Sequence, residues 1–286
     1  DETVLHPALE LLLTVEEELG IVGADNLDAS LLAGKTLVNL DSEEEGVLTV
    51  GCAGGGNTYI TLPVHWLPVT QDEIIFEIKV GGLKGGHSGE DINKHRQNAN
   101  KVIARVLDFI QKDVPIRLIS LKGGTARNAI PRDAETLFVC SADKADECCK
   151  NFSVIVQAIR DECINTEPDL SIALSIHEKN SEAAIGYDET EKGIRLLMAL
   201  PHGVSAMSSE IAGFIETSNN IGIMELKQEG LFIVSNQRSS VLSKLEEMFF
   251  RVKSIALLAD AQIRETAVFK PWQPNMDSQL LAKCVQ

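Results

Sequence analysis

Carboxylates crowd together at two places near the start of the chain. Glu16-Glu17-Glu18 closes the apolar run at residues 9–15, ahead of Gly20, and Asp41-Ser42-Glu43-Glu44-Glu45-Gly46 closes the run at residues 37–40. Apolar runs of this length, ended by glycine, read as strands buried on both faces. Ligands of open α/β sheets gather outside the carboxyl ends of such strands. Two acidic strand ends are therefore expected to converge on one spot, and carboxylate oxygens placed there suit a cation such as zinc. Taken alone, Glu16-Glu17-Glu18 reads as a solvated acidic turn. Its pairing with Asp41 at a second strand end is what favours a site, whereas Glu43, Glu44 and Glu45 read as solvated charge.

Three further residues stand out by their surroundings. His87 lies in Gly81-Gly82-Leu83-Lys84-Gly85-Gly86-His87-Ser88-Gly89, where glycines let the backbone approach a ligand closely. The spacing of Gly81 and Gly86 mimics a phosphate loop, but His87 stands where the lysine is required, which excludes nucleotide binding of that type. A histidine among glycines at a strand-to-helix turn is exposed and positioned. Asn128 falls in Gly123-Gly124-Thr125-Ala126-Arg127-Asn128-Ala129-Ile130-Pro131, which on pattern alone is a hairpin loop of turn formers. Arg238 follows the strand at residues 231–235. It reads either as surface charge or as a clamp for a substrate carboxylate. His6, His65, His95, His177 and His202 show no spacing of a metal pair and read as structural.

The elements that must hold these groups come in two sets. Residues 1–54 read as the tail of a helix, a strand, a loop, a strand and a glycine turn. Residues 74–80 alternate as a half-exposed strand. Apolar spacing through Ala99, Val102, Ile103, Val106, Leu107 and Ile110 predicts a helix over 91–112. Strands at 115–121 and 135–142, a helix at 144–165 and a strand at 170–176 complete the order β-α-β-β-α-β, a ferredoxin-like α+β unit. A helix at 189–200, strands at 214–225 and 230–236, a helix at 240–259 and a strand at 261–269 then give α-β-β-α-β. This reads as a second copy lacking its first strand, with no repeat at the level of residues. Pro271-Trp272-Gln273-Pro274 marks a break.

At 286 residues the chain has room for more than one domain. Its formal charge of -16, from 26 basic and 42 acidic residues, argues against nucleic acid and anionic membrane as partners. No apolar run of about 18 residues is present to span a bilayer. Six scattered cysteines without a CxxC pair fit a reducing cytoplasm. The opening on Asp1 reads as a cut or processed start, or as one whose beginning is not included.

Taken in order, the motifs form a recognisable set. They are Thr14-x-x-Glu17-Glu18-x-Gly20, Asn39-x-Asp41-Ser42-Glu43-Glu44-Glu45-Gly46, Gly51-Cys52-Ala53-Gly54-Gly55, Gly85-Gly86-His87-Ser88-Gly89 and Gly124-Thr125-x-x-Asn128-x-Ile130-Pro131. With Gly222 and Trp272-Gln273-Pro274, this set resembles the M20 metallopeptidase family, in particular its aminoacyl-histidine dipeptidase (Xaa-His, carnosinase-like) branch.

The resemblance implies an α/β zinc-peptidase catalytic domain, partial here at residues 1–54 and 269–286. It would be interrupted at 55–268 by a doubled ferredoxin-like lid. It implies two Zn2+ ions per site, with Co2+ or Mn2+ as substitutes, and Glu18 and Asp41 as metal ligands. Glu17 would be the general base and His87 the stabiliser of the oxyanion, acting within its own subunit or on a neighbour's site. Asn128 and Arg238 would hold the substrate's backbone and carboxylate. The family's His-x-Asp motif and bridging aspartate are expected ahead of Asp1, and its last histidine ligand beyond Gln286. The expected activity is hydrolysis of dipeptides, Xaa-His above all, by a cytoplasmic homodimer joined through the lid. The rival readings are an N-acyl amino acid deacylase or carboxypeptidase-like relative, and a catalytically incomplete fragment for peptide binding or dimerisation.

Overall fold

The computed structural model describes residues 6–16, 22–40, 46–178, 183–266 and 268–285. The chain divides into two compact units, Asp1–Leu48 and Thr49–Gln286.

In the first unit the described residues form a single helical turn, Val22–Asp25, and a 3-10 turn, Ala29–Leu31. Asp28 caps the latter through Ser30 N at 2.9 Å. The strands expected at 9–15 and 37–40 do not form: both runs are irregular, with Leu11 90%, Leu13 92% and Leu40 88% exposed. A strand needs a neighbour to pair its N–H and C=O groups and an apolar face to bury its side chains. Among the described residues of this unit neither is supplied.

The second unit carries the architecture. Its main elements are β1 (Gly54–Pro63), β2 (Glu73–Gly81), β3 (Gly86–His87), α1 (Ala99–Gln111), β4 (Arg117–Gly123), β5 (Ala129–Ile130), β6 (Ala134–Ser141), α2 (Ala145–Cys163) and β7 (Ser171–Ile176). They continue with α3 (Tyr187–Ala199), β8 (Gly203–Met207), β9 (Ile215–Lys227), β10 (Gly230–Ser239), α4 (Leu242–Leu258) and β11 (Gln262–Glu265). One antiparallel sheet runs β11-β1-β10-β9-β4-β6-β2-β7, with β8 beside the first half of β9.

This order contains two ferredoxin-like units. In the unit β2-α1-β4-β6-α2-β7 the strands lie 4-1-3-2, counted in its own chain order. In β1-α3-β9-β10-α4-β11 they lie 4-1-3-2 again. The second copy is therefore complete, in contrast to the expectation of a missing first strand: β1 supplies it, from ahead of the first copy. One copy is inserted into the other between β1 and α3. The two copies meet where β4 pairs β9, at Met224↔Gly123 and Glu225↔Lys122. At the entry and exit of the insertion, Trp66–Pro68 pairs antiparallel with Ala183–Ile185.

Helix α1 begins at Ala99, not at 91. Asn98 is extended and its side chain accepts from Asn100 N at 2.9 Å and Lys101 N at 3.4 Å, which makes it an N-cap. His95 just before it has φ 54°, outside the helical region. From that start the apolar stripe Val102, Ile103, Val106, Leu107 and Ile110 is fully buried, each side chain contributing about 1.5–3 kcal/mol. Lys101 leaves this helix to meet α3, donating to the carbonyls of Leu197 (2.7 Å), Met198 (2.8 Å) and Leu200 (2.9 Å). It satisfies orphan carbonyls of a helix C-terminus, and burial lowers its pKa to about 8. A single apolar cluster extends through both copies.

Candidate substrate-binding site

Arg238 sits inside β10, which runs to Ser239 and so past the strand end expected at 235. Its Cα neighbours across the sheet are Gly55 on β1 and Ser218 on β9. Two residues back, Asn236 lies between Asn57 and Asn220. By the two-residue period of a strand, Arg238 and Asn236 share one face. Asn236 Oδ1 accepts from Arg238 Nε at 3.1 Å and from Ser88 Oγ at 3.3 Å. Its Nδ2 donates to Gly56 O at 3.2 Å and Asn57 Oδ1 at 3.0 Å. Asn236 thus fixes the guanidinium at Nε and leaves both Nη groups without a hydrogen-bond partner among the described residues. Burial lowers the Arg238 pKa and Glu90 opposes that shift. A half-buried guanidinium with its fork free is a ready site for a carboxylate.

The loop that carries His87 lies on this face. His87 is half-buried in the two-residue strand β3, paired with Ala129, and Ser88 N donates to Asn128 O at 2.8 Å. His87 N donates to Asp91 Oδ2 at 2.8 Å. Glu90 N donates to Nδ1 of the ring at 3.3 Å, which makes Nδ1 an acceptor and leaves the proton of the neutral ring on Nε2. Gly86 has φ 141° and lies against the Arg96 and Asp91 side chains, so any other residue there is strained and displaces them. A side chain starting at Gly89 would meet His87 Cε1 at 3.2 Å and Arg238 Nη1 at 3.4 Å. The histidine ring and the guanidinium therefore flank the same glycine.

The Asn128 loop is pinned from below. Gly222 is the bulged residue of β9, where the register shifts between Ile221 and Ile223, and a Cβ there would run into the Arg127 backbone. Asn220 Nδ2 donates to Ala129 O at 2.8 Å and Arg127 O at 3.4 Å. Asn128 itself is exposed. Of the six residues the sequence singled out, the structure brings His87 and Arg238 together and seats Asn128 on the loop zipped to that of His87. Glu17, Glu18 and Asp41 lie outside the described residues. Among the described residues no group of three or more His, Cys, Asp or Glu could hold a metal ion.

The sequence reading passed over the polar residues that hold this arrangement. Asn219, Asn220, Ser235, Asn236 and Gln237 are all buried within strands. Asn219 Oδ1 accepts from Ser235 Oγ at 3.0 Å and Gln237 Nε2 at 2.9 Å, and Thr58 Oγ1 donates to Gln237 Oε1 at 3.2 Å. The available signal was polar runs, Thr217-Ser218-Asn219-Asn220 and Ser235-Asn236-Gln237, inside segments otherwise read as strands.

Comparison with known proteins places this geometry. Residues 76–167 match the peptidase dimerisation domain of the M20 type. Over 281 residues the chain is 35% identical to a cytosol non-specific dipeptidase of Escherichia coli (strain K12), covering 98% of this chain and 58% of that protein. It superposes on the crystal structure of an aminoacylhistidine dipeptidase from Vibrio alginolyticus with TM-score 0.88 and 33% identity, covering 94% of this chain and 55% of that one. The chain thus carries an M20-type peptidase dimerisation domain. It is similar to these dipeptidases over nearly all of its own length, and it spans a little over half of theirs.

Proposed function

We propose that this chain serves metal-dependent hydrolysis of dipeptides, with Xaa-His substrates of the carnosine type as the preferred class. The observation that carries the reading is the free guanidinium fork of Arg238 flanking Gly89 together with the His87 ring, whose proton lies on Nε2. A dipeptide offers a C-terminal carboxylate a few ångströms from its scissile carbonyl. Arg238 takes the carboxylate, Asn128 the peptide backbone, and His87 donates to the carbonyl oxygen as negative charge develops there. Glu17 is the general base that takes a proton from the attacking water and passes it to the leaving amine.

Glu18 and Asp41 are assigned as metal ligands. Two carboxylates fall short of the roughly three protein ligands each catalytic zinc takes, so they form part of a set. Zinc, when bound, acidifies water and polarises a carbonyl. The catalytic portions are assigned to residues 1–54 and 269–286, and the lid to 55–268. The dimerisation-domain match supports a homodimer through the lid. A cytoplasmic setting is proposed from the cytosolic relative. No helix among the described residues is long and apolar enough to cross a membrane.

The test uses the full-length protein with zinc. Arg238→Ala is expected to lower kcat/KM about 100-fold on an Xaa-His dipeptide, and only slightly on the same dipeptide with its C-terminus amidated. Equal losses on both substrates would remove Arg238 from the carboxylate. Glu17→Gln is expected to lower kcat by about 10³. Faster turnover of N-acyl amino acids than of dipeptides would replace this reading with a deacylase.

A further inference from the structure

A carboxylate remote from the site holds both ends of the loop that carries His87. Glu167, in the turn after α2, is 2% exposed. Its Oε2 accepts from Lys84 N and its Oε1 from Gln97 N, each at 2.9 Å. These two amides open and close the segment in which His87 lies, and Glu167 has no lysine, arginine or histidine partner among the described residues. A buried carboxylate without a cation is costly unless strong donors face it. Here the donors are backbone groups whose separation along the chain makes them the two feet of one loop. Neighbouring contacts work in the same direction: Arg132 Nε donates to Leu83 O at 3.0 Å, Arg96 donates to Gly85 O, and Asp91 accepts from His87 N. Loosening either foot lets the whole loop rise or swing, and with it the histidine ring that flanks Gly89.

We infer that Glu167 is a positioning residue for His87, setting the loop's base and thereby where Nε2 points. The inference rests on the reading of His87 as the donor to the carbonyl oxygen. A glutamine at 167 accepts at one foot and turns its NH2 against the N–H at the other. An aspartate keeps the charge but is one methylene too short to reach both.

The experiment compares wild type, Glu167→Gln and Glu167→Asp in the full-length zinc enzyme. Amide exchange across residues 84–97 is expected to speed up about ten-fold in Glu167→Gln, with α1 and α2 unchanged. On an Xaa-His dipeptide kcat is expected to fall about ten-fold with KM within about two-fold, and Glu167→Asp to lie between. In a His87→Ala background Glu167→Gln is expected to add nothing further, the signature of action through His87. Unchanged exchange, or a full additional loss in the His87→Ala background, overturns the inference. Should Glu167→Gln not fold, Glu167→Asp is read the same way. If His87→Ala alone hydrolyses at the wild-type rate, the reading of His87 fails, and the exchange result still decides whether Glu167 holds the loop.

Discussion

The inserted copy buries Phe76, Ile78, Val80, Leu118, Leu121 and Phe138 on its strands, with Phe76 and Phe138 stacked at 5.7 Å between ring centroids. The matching strands of the host copy bury Ile60, Leu62, Ile221, Met224, Leu231 and Ile233, but also Thr58, Asn219, Asn220, Ser235, Asn236 and Gln237. One apolar cluster runs through both copies, and the host copy adds a block of buried amides and hydroxyls to it. The apolar interior is filled by area and shape and tolerates whatever packs. The polar interior is specified atom by atom, because each buried amide must find its partners. The candidate site lies over the polar copy. That placement follows from chemistry: only a network of directed bonds can aim Arg238 and pin the Asn128 loop.

The comparison breaks first at Phe138. Phe138→Ala is expected to cost about 3–5 kcal/mol in urea unfolding. A loss below about 1 kcal/mol would mean that the inserted copy does not depend on dense apolar packing. Next comes His202, half-buried beyond α3, whose Nδ1 faces Asn98 Nδ2 at 3.3 Å. Burial, helped by Lys101, lowers its pKa from 6.5 to about 4. The unfolded chain then binds a proton that the folded one refuses. Stability is full above pH 6.5 and falls as pH drops towards 4, by up to about 3 kcal/mol. His202→Gln is expected to flatten that slope, and an unchanged slope would assign it to other groups. Smaller again is Gln237→Leu, at about 1–3 kcal/mol, since it strands the Thr58 hydroxyl and one acceptor position of Asn219. A neutral or stabilising outcome would show that the polar strands keep their amides for the site and not for the fold.

The sequence showed the inserted copy well and the host poorly, for physical reasons. Alternation at 74–80 and helical spacing from Ala99 to Ile110 are local signals, and local packing obeys them. β1 opens on Gly54-Gly55-Gly56, which reads as a turn, and its partner β10 lies far along the chain. The start of α1 lies at Ala99 and not at 91 because Asn98 caps it there, and between 91 and the cap Ile92 alone is apolar. Residues 9–15 and 37–40 have the composition of strands but pair with no strand among the described residues, and composition alone does not make a strand. In the site, His87 and Arg238 stood out by residue type. Asn236 and Gln237 did not, because a buried amide betrays itself only through what it touches.

The nesting of the two copies sets an order of events at the ribosome. β1 emerges early but its partner strand begins only at Gly230, after the entire insertion has been made. The inserted copy has all of its strands once Ile176 is out, with its entry and exit zipped by Trp66–Pro68 and Ala183–Ile185 soon after. It can therefore fold before the partner strand of β1 exists, with the edge of β4 as the surface that β9 later pairs. The copy that bears the guanidinium is thus made complete only after the inserted one.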